Sequence, residues 1–370
     1  MSKVLEGACI FGQSGGPTSV INASAYGVIR AALDAPEITK VYGAEYGIKG
    51  VLNDRLFIMD EEDEQELELL VHTPSSELGS CRYKIARPEE DDTDYRRILE
   101  IFKKYNVRYF FYNGGNDSMD TCDKISRYME SVGYECRVMG VPKTIDNDLV
   151  GTDHCPGFAS AARYIATSCM EIAKDNDVYD TGRVTIVEIM GRHAGWLAAS
   201  AALATYAGSG PDLIYLPETD FDMEQFLKDV RRVYEEKGKA MIAVSEGIHY
   251  ADGAFVSETS SPAVDGFGHA QLGGLAATLA EIVGKELGVK TRGIELSLLQ
   301  RAAAHQASTT DIREAVEAGK TAVACALDGE SGKMVAIRRG EENGNYASEM
   351  GLFPLHEVAN EEKKLPLEWI

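Results

Sequence analysis

The sequence predicts an α/β protein in which parallel sheets carry helices on both faces. Three observations support that expectation. Short apolar runs alternate with longer amphipathic ones along the chain. Two of the apolar runs end in paired glycines, at the kind of turn where open parallel sheets hold ligands. The chain has 370 residues, 44% of them hydrophobic, which at about 150 residues per domain suffices for two domains.

The apolar runs predict strands at residues 8–11, 108–112, 137–141, 183–189, 212–216 and 239–244. Helical periodicity appears at 20–32, 94–105, 121–132, 159–174 and 223–236. No repeat of solenoid length and no low-complexity linker interrupts the pattern, so composition marks no domain boundary. The acidic runs at 60–68 and 89–94 read as solvated surface or helix starts.

Lys and Arg number 37 against 59 Asp and Glu, a formal net charge of −22. Such a balance argues against nucleic acid, which needs a basic stripe, and against anionic membranes. The first twelve residues lack the basic patch and long apolar run of a signal peptide. The longest stretch without charge, 193–211, is dominated by small residues and predicts a buried, Ala-rich helix. Seven scattered cysteines, none at C-x-x-C spacing, suggest neither disulfides nor structural zinc; a reducing cytoplasm is expected.

The first glycine turn contains Gly12, Gly15, Gly16 and Pro17, and a helix follows. Glycine lets the backbone turn tightly and lets a ligand approach, while a helix N-terminus suits a phosphate. The spacing matches neither the dinucleotide fingerprint nor the Walker loop, which excludes a nicotinamide dehydrogenase. The second turn repeats the arrangement with Gly114, Gly115, Asn116, Asp117 and Ser118. A carboxylate at 117 in a phosphate cradle must hold a metal or exclude part of a larger ligand.

Pro142, Lys143, Thr144, Ile145, Asp146, Asn147 and Asp148 follow the third strand. Phosphoryl transfer to an alcohol needs a base at the acceptor hydroxyl and cations on the donor oxygens. Either carboxylate can be the base and Lys143 can supply charge; a plain turn is the alternative. Met190, Gly191, Arg192 and His193 close another strand, and Arg192 can grip a sugar phosphate bidentately. His193 reads as a packing residue at a helix start. Glu246, at the next strand end, can accept sugar hydroxyls or cap a turn. Arg292 and Arg301 add two cations, or surface ion pairs.

Taken in order, these motifs resemble the phosphofructokinase family over roughly residues 4–320. The resemblance implies two doubly wound αβα domains with interleaved chain segments and an active site in the cleft between them. One, of residues 1–153 and about 265–312, would bind the phosphoryl donor. The other, of about 154–264 and 313–355, would bind the sugar phosphate, leaving 356–370 as a tail. It implies Asp146 as the base at the 1-hydroxyl of fructose 6-phosphate, with Lys143 and Asp117 beside it. Gly15, Gly16, Gly115, Asn116 and Ser118 would line the donor. Thr144, Ile145, Asp148, Met190, Gly191, Arg192, Glu246, Leu298, Arg183, Arg292 and Arg301 would line the sugar phosphate. Arg183 and one of the Arg292–Arg301 pair would come from a neighbouring subunit, so a homodimer or homotetramer is expected.

The donor turns on two positions. ATP-using members usually carry glycine where this chain has Asp117 and Lys143; pyrophosphate-dependent members carry charged residues there. The implied reaction is reversible transfer from Mg-pyrophosphate to fructose 6-phosphate, in glycolysis and gluconeogenesis, with Mg2+ as cofactor. The alternatives are an ATP-dependent phosphofructokinase and a catalytically silent subunit of the same fold. The chain departs from the family at Asn116, where an aspartate near magnesium is common, and at Leu298, where ATP-using bacterial members often have histidine. It departs again at Tyr26, in place of an effector-binding arginine. Asn116 is still the expected metal contact. Residues from about 340 onward carry no motif, and Trp369 reads as packing.

Overall fold

Among the described residues, eleven strands follow in chain order: β1 (Gly7–Gln13), β2 (Ile38–Ala44), β3 (Leu56–Ile58), β4 (Val107–Gly114), β5 (Arg137–Pro142), β6 (Val184–Ile189), β7 (Leu213–Tyr215), β8 (Ala240–Ser245), β9 (Thr291–Glu295), β10 (Lys333–Glu342) and β11 (Asn345–Pro354). They are taken from a computed structural model that describes residues 4–178, 180–257 and 272–370. They form two sheets, ordered β11-β10-β5-β4-β1-β2-β3 and β7-β8-β6-β9.

The sheets belong to two compact units, one of residues 4–157 and 307–362, the other of 158–178, 180–257, 272–306 and 363–370. In the first unit β10, β5, β4, β1 and β2 run parallel, with β3 and β11 antiparallel at the edges. Every residue of β1 is buried, as expected of a strand covered on both faces. Successive side chains point to opposite faces and meet different helices. Ile10, Phe110 and Tyr112 join Ile98, Phe102, Met119 and Ile125 from helices Thr93–Lys104 and Asn116–Ser131. Phe11, Tyr109 and Phe111 join Val28, Ile29, Ala318 and Ala322 from helices Ile21–Asp34 and Thr309–Leu327.

In the second unit all four strands are parallel. Ile186, Ile242 and Val244 pack with Phe226 and Val230 of helix Met223–Lys237 and with Leu279 and Val283 of helix Leu275–Leu287.

Three expectations need correction. The returning segments are exchanged: residues 272–306 join the second unit, because β9 pairs with β6. Residues 313–355 join the first, because β10 pairs with β5 and Val323 packs into its core. The expected boundary near residue 265 lies outside the described residues. The tail divides as well: the Trp196 indole N–H donates to Lys363 O (2.8 Å) and Trp369 stands edge-on to Trp196, both within the second unit. Finally, residues 193–211 form two short helices, Trp196–Ser200 and Ala202–Tyr206, with Leu203 and Tyr206 exposed, where one buried helix was expected. No helix among the described residues is long and apolar enough to cross a membrane.

Candidate active site

β5, β4 and β1 lie side by side, so the loops leaving their carboxyl ends meet at one edge of the first sheet. From β1 the chain builds outward to β2, and from β4 to β5 on the other side. That reversal is where an open sheet leaves a crevice for ligands.

The first loop is held by two fully buried amides. Gln13 Nε2 donates to Asn22 Oδ1 (2.9 Å), and Gln13 Oε1 accepts from Ser76 Oγ (2.9 Å) and Leu78 N–H (3.1 Å). Asn22 Oδ1 also accepts from Glu77 N–H (2.9 Å), so residues 76–78 are clamped against the turn. Gly15 has φ +78°, a region glycine enters without steric cost. Its N–H donates to Cys81 O (3.1 Å) and its carbonyl accepts from Ser80 Oγ (2.6 Å).

The third loop reaches over the first. A Cβ added at Gly15 would stand 3.2 Å from Lys143 Nζ, so the lysine ammonium lies on the glycine turn. Lys143 is 3% exposed, and its N–H donates to Gly114 O (3.0 Å), which ties the exit of β5 to that of β4. Thr144 Oγ1 accepts from Asp146 N–H (3.1 Å). Asn147 sits at φ +58°, a left-handed conformation that asparagine tolerates, with its Oδ1 accepting from Cys155 N–H (3.0 Å). The turn buries Ile145, Asn147 and Leu149 and leaves Asp146 and Asp148 partly exposed between them. Two carboxylates are thereby presented from one rigid turn.

At the second loop, a Cβ on Gly114 would stand 2.0 Å from Ser118 Oγ. Ser118 fills the space that glycine leaves and is buried, so its side chain packs the turn. No described side chain caps the helix at Gly115. Asp117, on the first helical turn, lies 3.7 Å from Lys84 Nζ. Lys84 escaped the sequence reading because no motif surrounds it.

Asn116, at the start of the same helix, bonds a distant segment of the chain. Its Oδ1 accepts from Asn360 N–H (2.7 Å) and its Nδ2 donates to Glu361 O. Both ends of the amide bond the segment after β11, so Asn116 pins the chain there. Among the described residues, no group of three or more His, Cys, Asp and Glu could hold a metal by itself.

The second unit carries its own cluster, at the carboxyl ends of β6 and β8. Gly191, at φ +130°, donates its N–H to Glu246 Oε1 (3.4 Å), and its carbonyl accepts from Ser245 Oγ. Met190 N–H donates to Gln300 Oε1 (3.0 Å), which brings the Leu298–Arg301 segment to the same turn. The Arg192 guanidinium lies 6.0 Å from the Phe255 ring centre, and His193 is exposed beside that ring. Leu298 is exposed.

Arg183 and Arg292 do not join this cluster. Arg183 precedes β6, where its Nε donates to Asn176 Oδ1 (3.0 Å) and its guanidinium pairs with Asp175. Arg292 is in register with Thr185, near the same end. The six residues of β6 separate that edge from Met190 by roughly 20 Å.

Glu188, two residues before Met190, was missed in the sequence because a single acid inside an apolar run carries no spacing signal. It is buried, and its Oε2 accepts from Ala276 N–H (2.9 Å) at the start of helix Leu275–Leu287. Burial pushes its pKa up to about 7; the Ala276 N–H pulls it down, while nearby Glu295 and Glu246 raise it further.

Residues 9–326 match the family model described as phosphofructokinase. The chain belongs to the phosphofructokinase family. Among similar phosphofructokinase relatives is the pyrophosphate–fructose 6-phosphate 1-phosphotransferase of Xanthomonas campestris pv. campestris. It is 47% identical over 367 residues, covering 98% of this chain and 86% of that one. The protein of the same name from Halomonas elongata is 45% identical over 364 residues, covering 97% and 86%. The solved pyrophosphate-dependent phosphofructokinase of Nitrosospira multiformis superposes with a TM-score of 0.88 at 38% identity, over 98% of this chain and 87% of that one.

Proposed function

We propose that this chain transfers a phosphoryl group from pyrophosphate to the 1-hydroxyl of fructose 6-phosphate, giving fructose 1,6-bisphosphate and phosphate, reversibly. The observation that carries the reading is the pairing of Lys143 and Asp117 at the convergent loops. A buried ammonium over Gly15 offers a fixed positive charge to the donor's phosphates. A carboxylate on the first turn of helix Asn116–Ser131 repels a donor that continues into further phosphates. A short donor gains the first and escapes the second.

Asp146 is the residue to take the proton from the acceptor hydroxyl. Its partial exposure leaves it reachable, and the Thr144 and Asn147 contacts hold the turn that presents it. Lys143 stabilises charge on the transferring group without moving far, since it is already buried and braced. In the second unit, Arg192 and Arg301 suit the 6-phosphate and Glu246 the sugar hydroxyls. Arg183 and Arg292, at the far edge of their sheet, support a homodimer or homotetramer in which they serve the site of another copy.

Mg2+ takes hard oxygen donors and is commonly held by one or two carboxylates together with substrate phosphates. Asp117 and Asp148 fit that description, whereas Asn116 does not, its amide being engaged by residues 360 and 361. Bound there, the ion would neutralise charge on the donor phosphates. The seven scattered cysteines, none at C-x-x-C spacing, suit a reducing cytoplasm.

The test is a side-by-side assay of the purified chain with Mg-pyrophosphate and Mg-ATP, run in both directions. Pyrophosphate is expected to serve and ATP to fail. The double substitution Asp117→Gly, Lys143→Gly is expected to lose pyrophosphate use and gain ATP use. Activity of the unaltered chain with ATP alone would sink the proposal.

A further inference from the structure

The loop that carries Asp146 and Asp148 is tied down again at its far end, by residues 152–157. His154 is buried there, at 8% exposure. Its Nδ1 faces Asp153 Oδ2 at 2.8 Å, and its Nε2 faces Glu314 Oε2 at 2.8 Å. A neutral imidazole carries one N–H, so it would leave one carboxylate oxygen facing a ring lone pair. With a carboxylate at each nitrogen, only the imidazolium satisfies both contacts.

The two carboxylates are themselves anchored. Glu314, on helix Thr309–Leu327, is 1% exposed and accepts from the Tyr346 hydroxyl on β11 (2.5 Å). Asp153 accepts from Arg339 Nε on β10 (3.2 Å), and Arg339 lies 5.0 Å from the Tyr346 ring centre. One helical turn before Glu314, the fully buried Asp311 accepts the Gly157 N–H (2.9 Å). The connection to the catalytic loop is direct: Gly157 bridges to Thr144, and the Cys155 N–H holds Asn147 Oδ1. The residue beside His154 therefore sets the left-handed turn between the two acids.

We propose that His154 and Glu314 are positioning residues for the Asp146–Asp148 loop, working as a charged clamp that fastens it to helix Thr309–Leu327. The inference rests on the reading of Asp146 as the base. The groups facing the imidazole are Asp153 on its own loop, Glu314 on the helix, and Tyr346 and Arg339 on the hairpin. Burial pulls the His154 pKa down, but hydrogen bonds to Glu314 and Asp153 outweigh it and leave the pKa above the ordinary value. The clamp is therefore fully present below the unfolded-state pKa and is released as pH rises through the raised folded one.

The experiment uses the full chain and the variants His154→Gln and Glu314→Gln. Each is expected to lower kcat about tenfold or more, since small displacements of reacting groups cost that much, with KM for both substrates within about twofold. Unaltered protein should lose kcat on an alkaline limb above the His154 pKa, and His154→Gln should lack that limb. Hydrogen exchange supplies a readout independent of activity. Protection at the amides of residues 144–157 should fall about tenfold or more in both variants, with β6 and β8 unchanged. Unchanged kcat with an unchanged pH profile overturns the proposal, as does protection lost equally across both units. Should unaltered protein fail to use pyrophosphate, the reaction assignment falls, and local loss of protection at 144–157 still decides for or against the clamp.

Discussion

Replacing Glu188 by Gln should stabilise the protein at alkaline pH and leave it nearly unchanged in mild acid. The side chain is buried, and its described donors are the backbone N–H groups of Ala276 and Leu275, which an amide oxygen can accept. Its folded pKa of about 7 stands above the ordinary carboxyl value of 4.5, chiefly because burial disfavours the charged form. A raised carboxyl pKa means that the folded state binds the proton more tightly than the unfolded chain. Stability is thus unaffected by this group below the unfolded pKa and falls as pH rises from about 4.5 to about 7.

At about 1.4 kcal/mol per unit, the penalty accumulated between pH 5 and pH 8 is roughly 2–3 kcal/mol. Two units need not unfold together, so the comparison is best made as a difference in Tm between variant and parent at each pH, where other titrating groups cancel. For a unit of this size the penalty corresponds to roughly 5–10 °C. Circular dichroism melts at pH 5, 6.5 and 8 should show the Gln variant drawing level with the parent at the lowest pH and exceeding it by that amount at the highest. A gap that stays constant with pH, or one that closes as pH rises, refutes the assignment of the titration to Glu188.

Two further outcomes can be checked directly. Asp146→Asn should lower kcat by about 10²–10⁴-fold with little change in KM for fructose 6-phosphate, because a base acts mainly in the transition state; equal losses in both parameters count against the role. Gly114→Ala puts a Cβ 2.0 Å from Ser118 Oγ. It should lower stability by about 1–3 kcal/mol, read as a lower Tm, and an unchanged Tm would show that the turn has room.

The parts of the fold legible in the sequence were those whose pattern repeats locally. β1, β4, β5, β6 and β8 are apolar on both faces, and the helices between them keep a 3.6-residue period, so both kinds of element declare themselves. β10 and β11 did not, because they form a two-stranded extension: only residues 334–337 of β10 are buried, and the rest is polar and exposed. The exchange of segments between units was hidden for a related reason. Whether β9 or β10 joins a given sheet is decided by pairing across more than a hundred residues, and neighbouring sequence carries no trace of it. Loop chemistry followed the same division. Lys143, Asp146 and the glycines stood out as a local cluster. Glu314 and Asp311, which hold that cluster from a helix far along the chain, lie in no motif and drew no reading from the sequence.

An excess of 22 negative charges is, on its face, hostile to a phosphate-handling enzyme. The structure separates two quantities that net charge merges. Most acidic side chains are exposed, and at physiological ionic strength their fields fade within about 8 Å. Lys143 is 3% exposed and rests on Gly15, where no side chain separates it from the turn. A charge screened by little water acts at a lower effective dielectric, so one buried ammonium outweighs several distant carboxylates at that point. Asp117, partly exposed, stands in the first turn of helix Asn116–Ser131, whose start has no described side-chain cap. In the proposed reading, donor choice then turns on these two local charges, and the sign of the whole molecule has little say in it.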